Sequence, residues 1–373
     1  MKVWVVSHAY AADVNHDKLV ALARLPGLDL TALTPAVWRT SLGALTAPAP
    51  RGPYRVVPAR VAINGRVGAY VYRNGLGVLR AARPDVVHAE LEPWSLAALQ
   101  CVLAAGRAPV VLFTWENLER PLRAPQRVIE RVVLRRAAFV IAGNAAAKTR
   151  IERRGVPSGR IAVLPQFGVD LSRYAGARTG GARAALGLAP PVVGYVGRLV
   201  PEKGVDLLVE ALAGLEASLL VVGEGRARPD LERRVAGWPS GRARFVGAVA
   251  HAAVPAYLGA LDALVLPSRT TAGWAEQFGH VLIEAMAAGV PVVGSSSGAI
   301  PEAVADAGLT FPEGRADVLR ERLGALLGDR ALHARLVEAG RSRVQARYTN
   351  DVIACAQAQI YARVLAGSPI LST

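Results

Sequence analysis

Gly194-Tyr195-Val196-Gly197-Arg198-Leu199-Val200-Pro201-Glu202-Lys203-Gly204 is the stretch on which the fold turns. It continues the apolar run VVGYV (192–196), which reads as a strand, and it leads into an amphipathic helix predicted over Val205 to Leu215. The glycines let the backbone approach a ligand closely, and Arg198 and Lys203 fall on the loop at the strand's carboxyl end. Open α/β sheets bind ligands at that end, and two cations there can clamp a diphosphate. Taken alone, the segment also fits an exposed basic turn. Lys203 adds weight to the binding reading, because only four of the 44 basic residues are lysine.

Outward from this unit the pattern repeats in both directions. Upstream, KVWVV, VVHA (86–89), PVVLFT (109–114), FVIA (139–142) and IAVL (161–164) alternate with helical stretches. Downstream come SLLVVG (218–223), ARFVG (243–247), ALVLP (263–267) and VPVVG (290–294). Alternating strands and helices predict parallel sheets covered on both faces, here in two Rossmann-like domains joined near 171–190. The domains are read as 1–172 and 173–352. Helical periodicity from Asn350 to Leu365 adds a terminal helix, and 353–373 is expected to pack back towards the first domain.

Composition narrows the class. The chain has 373 residues, 52% hydrophobic and 20% charged, enough for buried cores and without the polar bias of disorder. Two cysteines, Cys101 and Cys355, make neither a disulfide framework nor a thiolate zinc site. The apolar run that opens the chain is too short for a signal-peptide core, and Trp94 to Phe113 is broken by Gly106, Arg107 and Pro109. A cytoplasmic protein is therefore expected. The G-x-G-x-x-G fingerprint and the P-loop are absent, and no metal-ligand spacing appears, so neither a cofactor nor a metal is expected.

The net charge of +15 is unevenly placed: residues 1–170 carry 23 basic against 11 acidic residues, and 171–373 carry 21 against 18. Arg123, Arg127, Arg131 and Arg135 recur every four residues around Val128, Ile129, Val132 and Val133, and 120–136 holds six arginines and one glutamate. This basic amphipathic helix can rest on an anionic membrane surface, or be a solvated helix with its apolar stripe in the core. Nucleic-acid binding would call for interleaved aromatic residues, which 123–136 lacks, so that partner is not expected.

A second unit carries chemistry: Glu276-Gln277-Phe278-Gly279-His280, with a helix predicted to begin near Phe278. A helix start offers unpaired N–H groups and a positive dipole end to an anion. Glu284 lies further into this helix among Leu282, Ile283, Ala285 and Met286, and a carboxylate in such company needs a specific partner.

In order and spacing, GRLVPEKG, VVGEG (221–225), FVGAVAH (245–251), LVLPS (264–268), EQFG (276–279) and AAGVPVVGSSSGAIPE (287–302) resemble the retaining GT-B glycosyltransferases of sequence family 4. The resemblance implies two Rossmann-like domains facing a central cleft, and a hexosyltransferase moving sugar from a UDP- or GDP-sugar to a carbohydrate, lipid-linked or small-molecule acceptor, with retention and without metal. It places Arg198 and Lys203 on the donor diphosphate, with Gly225 beside it. Val249 would lie along the base, Glu284 on the ribose, and Glu276 with Gln277, Phe278 and Gly279 on the transferred sugar. Front-side attack assisted by the leaving phosphate follows by the same analogy.

The first half matches less closely. PDVVHAELEPWS (84–95) resembles the strand and loop that reach the cleft, and PQFGVD (165–170) the turn before the linker. Where many members have a Gly-Gly loop after the first strand, this chain has Ser7-His8-Ala9-Tyr10-Ala11. Where many have a histidine after the strand equivalent to PVVLFT, it has Thr114-Trp115-Glu116-Asn117, leaving His88 or Glu116 as the catalytic candidate of this half beside Glu276. His8, Tyr10, Glu90, Glu92 and Asn117 are the acceptor-side candidates. The implied setting is glycan or glycolipid synthesis, with the protein peripheral at the inner face of a membrane. A sugar-nucleotide epimerase or hydrolase of the same fold is the alternative.

Overall fold

The apolar runs become strands in a computed structural model that describes residues 1–40, 43–73, 75–179 and 181–367. In chain order, β1 (Lys2–Val6), α1 (His16–Ala23), β2 (Asp29–Pro35), β3 (Arg55–Ala59), β4 (Val86–Glu90) and α2 (Leu96–Ala104) come first. They are followed by β5 (Val110–Thr114), α3 (Ala124–Arg136), β6 (Ala137–Ala142), α4 (Ala145–Arg153) and β7 (Ile161–Val163). All seven strands run parallel in the order β7-β6-β5-β4-β1-β2-β3. Successive residues of β1 face opposite cores: Trp4 and Val6 pack with Val87 and Leu112, while Val3 and Val5 pack with Val86, Leu19 and Tyr361. Burial on both faces is why these strands read as unbroken apolar runs.

The second sheet contains β8 (Val192–Val196), β9 (Ser218–Val222), β10 (Ala243–Gly247), β11 (Ala263–Leu266), β12 (Val292–Ser295) and β13 (Leu309–Phe311). Its order is β10-β9-β8-β11-β12-β13, again all parallel. Helices α5 (Val205–Ala213) and α6 (His280–Ala287) follow β8 and β11, and α7 (Asn350–Ala366) ends the described chain. Helix α5 stops two residues short of Leu215, because Gly214 closes it.

Three strands of these two sheets escape the sequence reading, each for a local reason. In β2, Thr31 and Thr34 interrupt the apolar residues behind Asp29; β3 carries Pro58, tolerated because β3 is an edge strand; β13 is three residues long. Two short antiparallel hairpins lie between Val37 and Tyr72.

The chain divides into one unit of 1–167 with 350–373 and another of 168–349. The first division precedes position 172 because Val169 already belongs to the second unit: its N–H donates to the Tyr348 carbonyl, 2.8 Å away. Helix α7 starts at Asn350 and packs on α1, placing Ala354, Ile360 and Tyr361 in the first unit's core. Residues 368–373 of the terminal segment lie outside the described residues. Among the described residues, no helix is long and apolar enough to cross a membrane.

Candidate functional site

Both sheets reverse their strand order at one point, between β1 and β4 in the first unit and between β8 and β11 in the second. The loops leaving those strands diverge there and open a crevice at the carboxyl ends. In the second unit these loops are Gly197–Lys203 and Pro267–Gly279, which carry Arg198, Lys203 and Glu276.

The loops are pressed together by backbone geometry. Gly204 has φ 65°, and a Cβ there would fall 2.1 Å from the Pro267 carbonyl oxygen. Across this contact Lys203 Nζ donates to Glu276 Oε2 at 2.5 Å, and the same oxygen accepts from the Ser268 hydroxyl at 2.9 Å. The ammonium also sits 4.8 Å from the Trp274 ring centroid. Glu276 is buried, and its neutralisation by Lys203 is what makes that burial tolerable. Arg198 differs: its guanidinium is exposed with no side-chain partner among the described residues, and its carbonyl accepts from the Tyr195 hydroxyl at 2.8 Å.

Gly225 lies against this loop, and a Cβ there would stand 2.2 Å from the Leu199 carbonyl oxygen. Loop-on-loop packing by itself therefore requires glycine at 225. Gln277 is exposed, Phe278 is buried with its ring 5.5 Å from that of Tyr348, and Gly279 caps α6 at φ 77°. Helix α6 begins at His280, slightly later than Phe278, and this brings Glu284 to just over one turn inside it. Val249 is half-buried on the loop after β10.

Glu284 has three partners. Its Oε1 accepts from the Tyr174 hydroxyl at 3.1 Å, and stands 2.8 Å from His251 Nε2 and 3.4 Å from His280 Nδ1. Burial pushes its pKa up, but the hydrogen bonds from His251 and His280 outweigh that and hold the carboxyl at about 2. In turn His280, which burial would lower, is raised by the bond to Glu284. Sequence reasoning named Glu284 but missed all three partners. His280 was legible as the residue one helical turn before Glu284, and His251 closes FVGAVAH; nothing local marks Tyr174.

At the first unit's switch point the polar residues form a buried network. Lys18 and Glu90 are an ion pair, both side chains fully buried, with Gln166 Nε2 donating to Glu90 at 2.9 Å. Burial would raise the Glu90 pKa, but Lys18 and His88 bring it below the usual value. His88 is buried, with Nδ1 2.7 Å from the Tyr361 hydroxyl, and burial drives its pKa down to about 4. Tyr10 is buried near Lys18 and Phe167; His8 lies 4.8 Å from the Trp38 ring, its pKa pushed down to about 4 by burial.

A second cluster forms where β4 and β5 end. Glu92 accepts from the Thr114 hydroxyl at 2.5 Å and from the Trp115 N–H at 3.0 Å, and burial raises its pKa to about 7. Glu116 is buried beside this pair and ion-paired with Arg120; Asn117 is half-buried next to it. The structure thus gathers Glu92, Glu116 and Asn117 in one cluster and Glu90, His88 and Tyr10 in another. Lys18, at the centre of the Glu90 cluster, is one of the four lysines but was not a site candidate from sequence.

A cavity of about 710 Å³, lined by Leu215, Ser218, Pro239 and Arg242, sits at the amino ends of the second sheet's strands, opposite these loops. Among the described residues, no three His, Cys, Asp or Glu side chains are grouped to hold a metal ion.

Two doubly wound parallel sheets, one carrying a cationic loop and a glutamate-bearing helix at its switch point, define a GT-B glycosyltransferase fold. A model described as Glycosyl transferase 4-like domain matches residues 8–166, and one described as Glycosyl transferases group 1 matches 182–343. The chain is 31% identical over 300 residues to the 2-deoxystreptamine N-acetyl-D-glucosaminyltransferase of Streptomyces fradiae, covering 74% of this chain and 70% of the relative. It is 36% identical over 199 residues to a GDP-mannose-dependent monoacylated alpha-(1-6)-phosphatidylinositol monomannoside mannosyltransferase of Corynebacterium glutamicum, covering 50% of this chain and 52% of the relative. A D-inositol 3-phosphate glycosyltransferase of Nocardia farcinica, at 34% identity, is likewise covered over only 50% of its length, so the chain spans about half of these two relatives. Among solved structures, HepE of Anabaena in complex with UDP superposes with TM-score 0.73 at 18% identity, over 97% of this chain and 99% of that one. The chain belongs to the group 1 glycosyltransferase family.

Proposed function

We propose that the protein transfers a sugar from a UDP- or GDP-sugar to an acceptor with retention of anomeric configuration, in glycan or glycolipid synthesis. The observation that carries this reading is the meeting of Lys203 and Glu276 across the two switch-point loops, beside an unpaired Arg198. In this reading the donor diphosphate is held by Arg198 and draws Lys203 from Glu276, which frees that carboxylate for a hydroxyl of the transferred sugar. Gln277, Phe278 and Gly279 line the sugar, Gly225 lies beside the diphosphate and Val249 along the base. Glu284, kept ionised by its histidines, accepts from the ribose hydroxyls. Negative charge developing on the leaving diphosphate is stabilised by the two cations and the start of α6, so no metal is assigned to the step.

On the acceptor side, Glu92 is better placed for proton handling than His88, which is fully buried, and Glu116, buried against Arg120, is the other carboxylate candidate beside it. A carboxyl near 7 can give and take a proton at neutral pH. His8, Tyr10, Glu90 and Asn117 shape and order that side. A relative named for GDP-mannose supports a nucleoside diphosphate sugar donor, and the lipid-linked acceptor in the same name supports a peripheral position at the inner face of a membrane. The test is to incubate the protein with UDP- and GDP-sugars, with and without candidate acceptors and chelator, and to follow nucleoside diphosphate release and the anomeric signal of the product. Acceptor-dependent release with retained configuration in chelator supports the reading. Release or epimerisation that ignores acceptor, or inversion, overturns it.

A further inference from the structure

Helices α3 and α4 and the turn after α4 enclose a second cavity of about 580 Å³ in the first unit. Its wall carries six arginines, namely Arg127, Arg131 and Arg135 from α3 and Arg153, Arg154 and Arg160 from the α4 side. The one acidic lining residue, Glu130, is already committed, being buried and ion-paired with Arg150 and Arg154. The α4 side is partly engaged as well, since Arg153 and Arg154 approach Glu119 and Arg160 donates to the carbonyls of Ala137 and Ala138. Arg127, Arg131 and Arg135 are exposed and have no side-chain hydrogen bond or ion pair among the described residues. Three unpaired guanidiniums around one concavity repel one another and are matched by a single polyvalent anion; guanidinium forks fit phosphoryl oxygens two at a time.

The surroundings indicate where that phosphoryl group comes from. On α3, Val128 is 58% and Val132 37% exposed beside the unpaired arginines, and on α2, which packs against α3, Leu103 is 60% exposed. Apolar side chains left in water next to a cationic cavity suit the boundary between headgroups and acyl chains. A nucleic acid would leave them in solvent.

We propose that the α3–α4 cavity binds the phosphoryl group of an anionic phospholipid, with Val128, Val132 and Leu103 entering the headgroup layer. This deepens the membrane reading given above and is independent of the transfer reaction, because none of these residues lies on the donor loops. The cavity is a site with shape, and the proposal differs from simple charge attraction in one respect: arginines elsewhere on the same unit cannot substitute for these three.

The experiment uses the full chain and vesicle co-sedimentation, with no donor present. The probes are phosphatidylcholine vesicles, phosphatidylcholine vesicles containing phosphatidylglycerol or phosphatidylinositol, inorganic phosphate as competitor, and a short RNA duplex. Two variants each lose three charges: Arg127→Gln/Arg131→Gln/Arg135→Gln in the cavity, and Arg39→Gln/Arg60→Gln/Arg73→Gln, exposed residues of the same unit outside it. The expected result is binding selective for anionic vesicles, weakened about 100-fold in the cavity variant and less than about threefold in the other. Equal weakening in both variants, equal binding to neutral vesicles, or arginine-dependent binding of phosphate or RNA without vesicle binding overturns the proposal. Each variant's circular dichroism and unchanged thermal unfolding confirm that it is folded. Donor turnover on a soluble acceptor is read separately: its absence in the native chain overturns the transferase reading, while the vesicle result alone decides this proposal.

Discussion

Glu284→Gln removes a charge while keeping an acceptor for the Tyr174 hydroxyl, so it isolates the electrostatic part of the Glu284 cluster. The carboxyl is lowered from 4.5 to about 2, against the burial that opposes it, by hydrogen bonds from His251 and His280. At about 1.4 kcal/mol per unit, that depression is on the order of 3 kcal/mol of folding free energy at neutral pH, an upper figure because the carboxylate and the His280 imidazole titrate as a pair. The sign follows from the direction of the shift. A carboxyl whose folded pKa is depressed contributes stability above its unfolded value of 4.5, and loses it as pH falls towards 2. His280, raised above 6.5, contributes stability that is complete below 6.5 and disappears as pH rises through its folded value.

The variant should therefore lose about 2 to 3 kcal/mol at pH 7 and much less at pH 3, and His280 should titrate at a lower pH than in the native chain. Hydrogen exchange of second-unit peptides measures the loss in the part of the chain concerned, and imidazole proton resonances report the histidine directly. An unchanged His280 titration, or an equal loss at pH 7 and pH 3, would refute the coupling.

Glu92 should behave oppositely. Its carboxyl, raised to about 7 by burial, opposes folding once ionised, so Glu92→Gln should raise the melting temperature by a few degrees at pH 8 and leave it unchanged at pH 4. A lower melting temperature at pH 8 would show that the charge is compensated. Lys18→Met strands the buried Glu90 carboxylate and should cost about 3 to 5 kcal/mol, most of it recovered in Lys18→Met/Glu90→Gln, as chemical denaturation can measure. Gly204→Ala forces a Cβ to within 2.1 Å of the Pro267 carbonyl oxygen, so it should weaken donor affinity at least tenfold by parting the two loops, with helix content unchanged by circular dichroism.

What was legible in the sequence follows from what each feature depends on. Strands buried on both faces, such as VVGYV and VVLFT, announce themselves as apolar runs because both of their faces pack into cores. Edge strands have one open side, and there Pro58 and the three-residue β13 carry no such signal. Glu284 was visible because a carboxylate among Leu282, Ile283, Ala285 and Met286 needs a reason. Its partner Tyr174, 110 positions earlier, was invisible because the contact is made by the fold and by no local spacing. The Lys18–Glu90 pair was hidden for the same cause, joining residues 72 positions apart. The arginine periodicity of 123–135 showed a basic helix, but only the packing of α4 beside α3 turns it into a cavity.

The central claim is that the loops leaving β8 and β11 bind a nucleoside diphosphate. Arg198→Ala tests it more cleanly than Lys203→Ala, because Arg198 is exposed and unbonded whereas removing Lys203 strands Glu276. The measurement is calorimetric titration of UDP and GDP into the native chain and into Arg198→Ala, without added metal. Saturable binding of at least one nucleotide, weakened by about 1.5 to 3 kcal/mol in the variant, is the predicted result. Binding of equal strength to both proteins, or to neither, would contradict it.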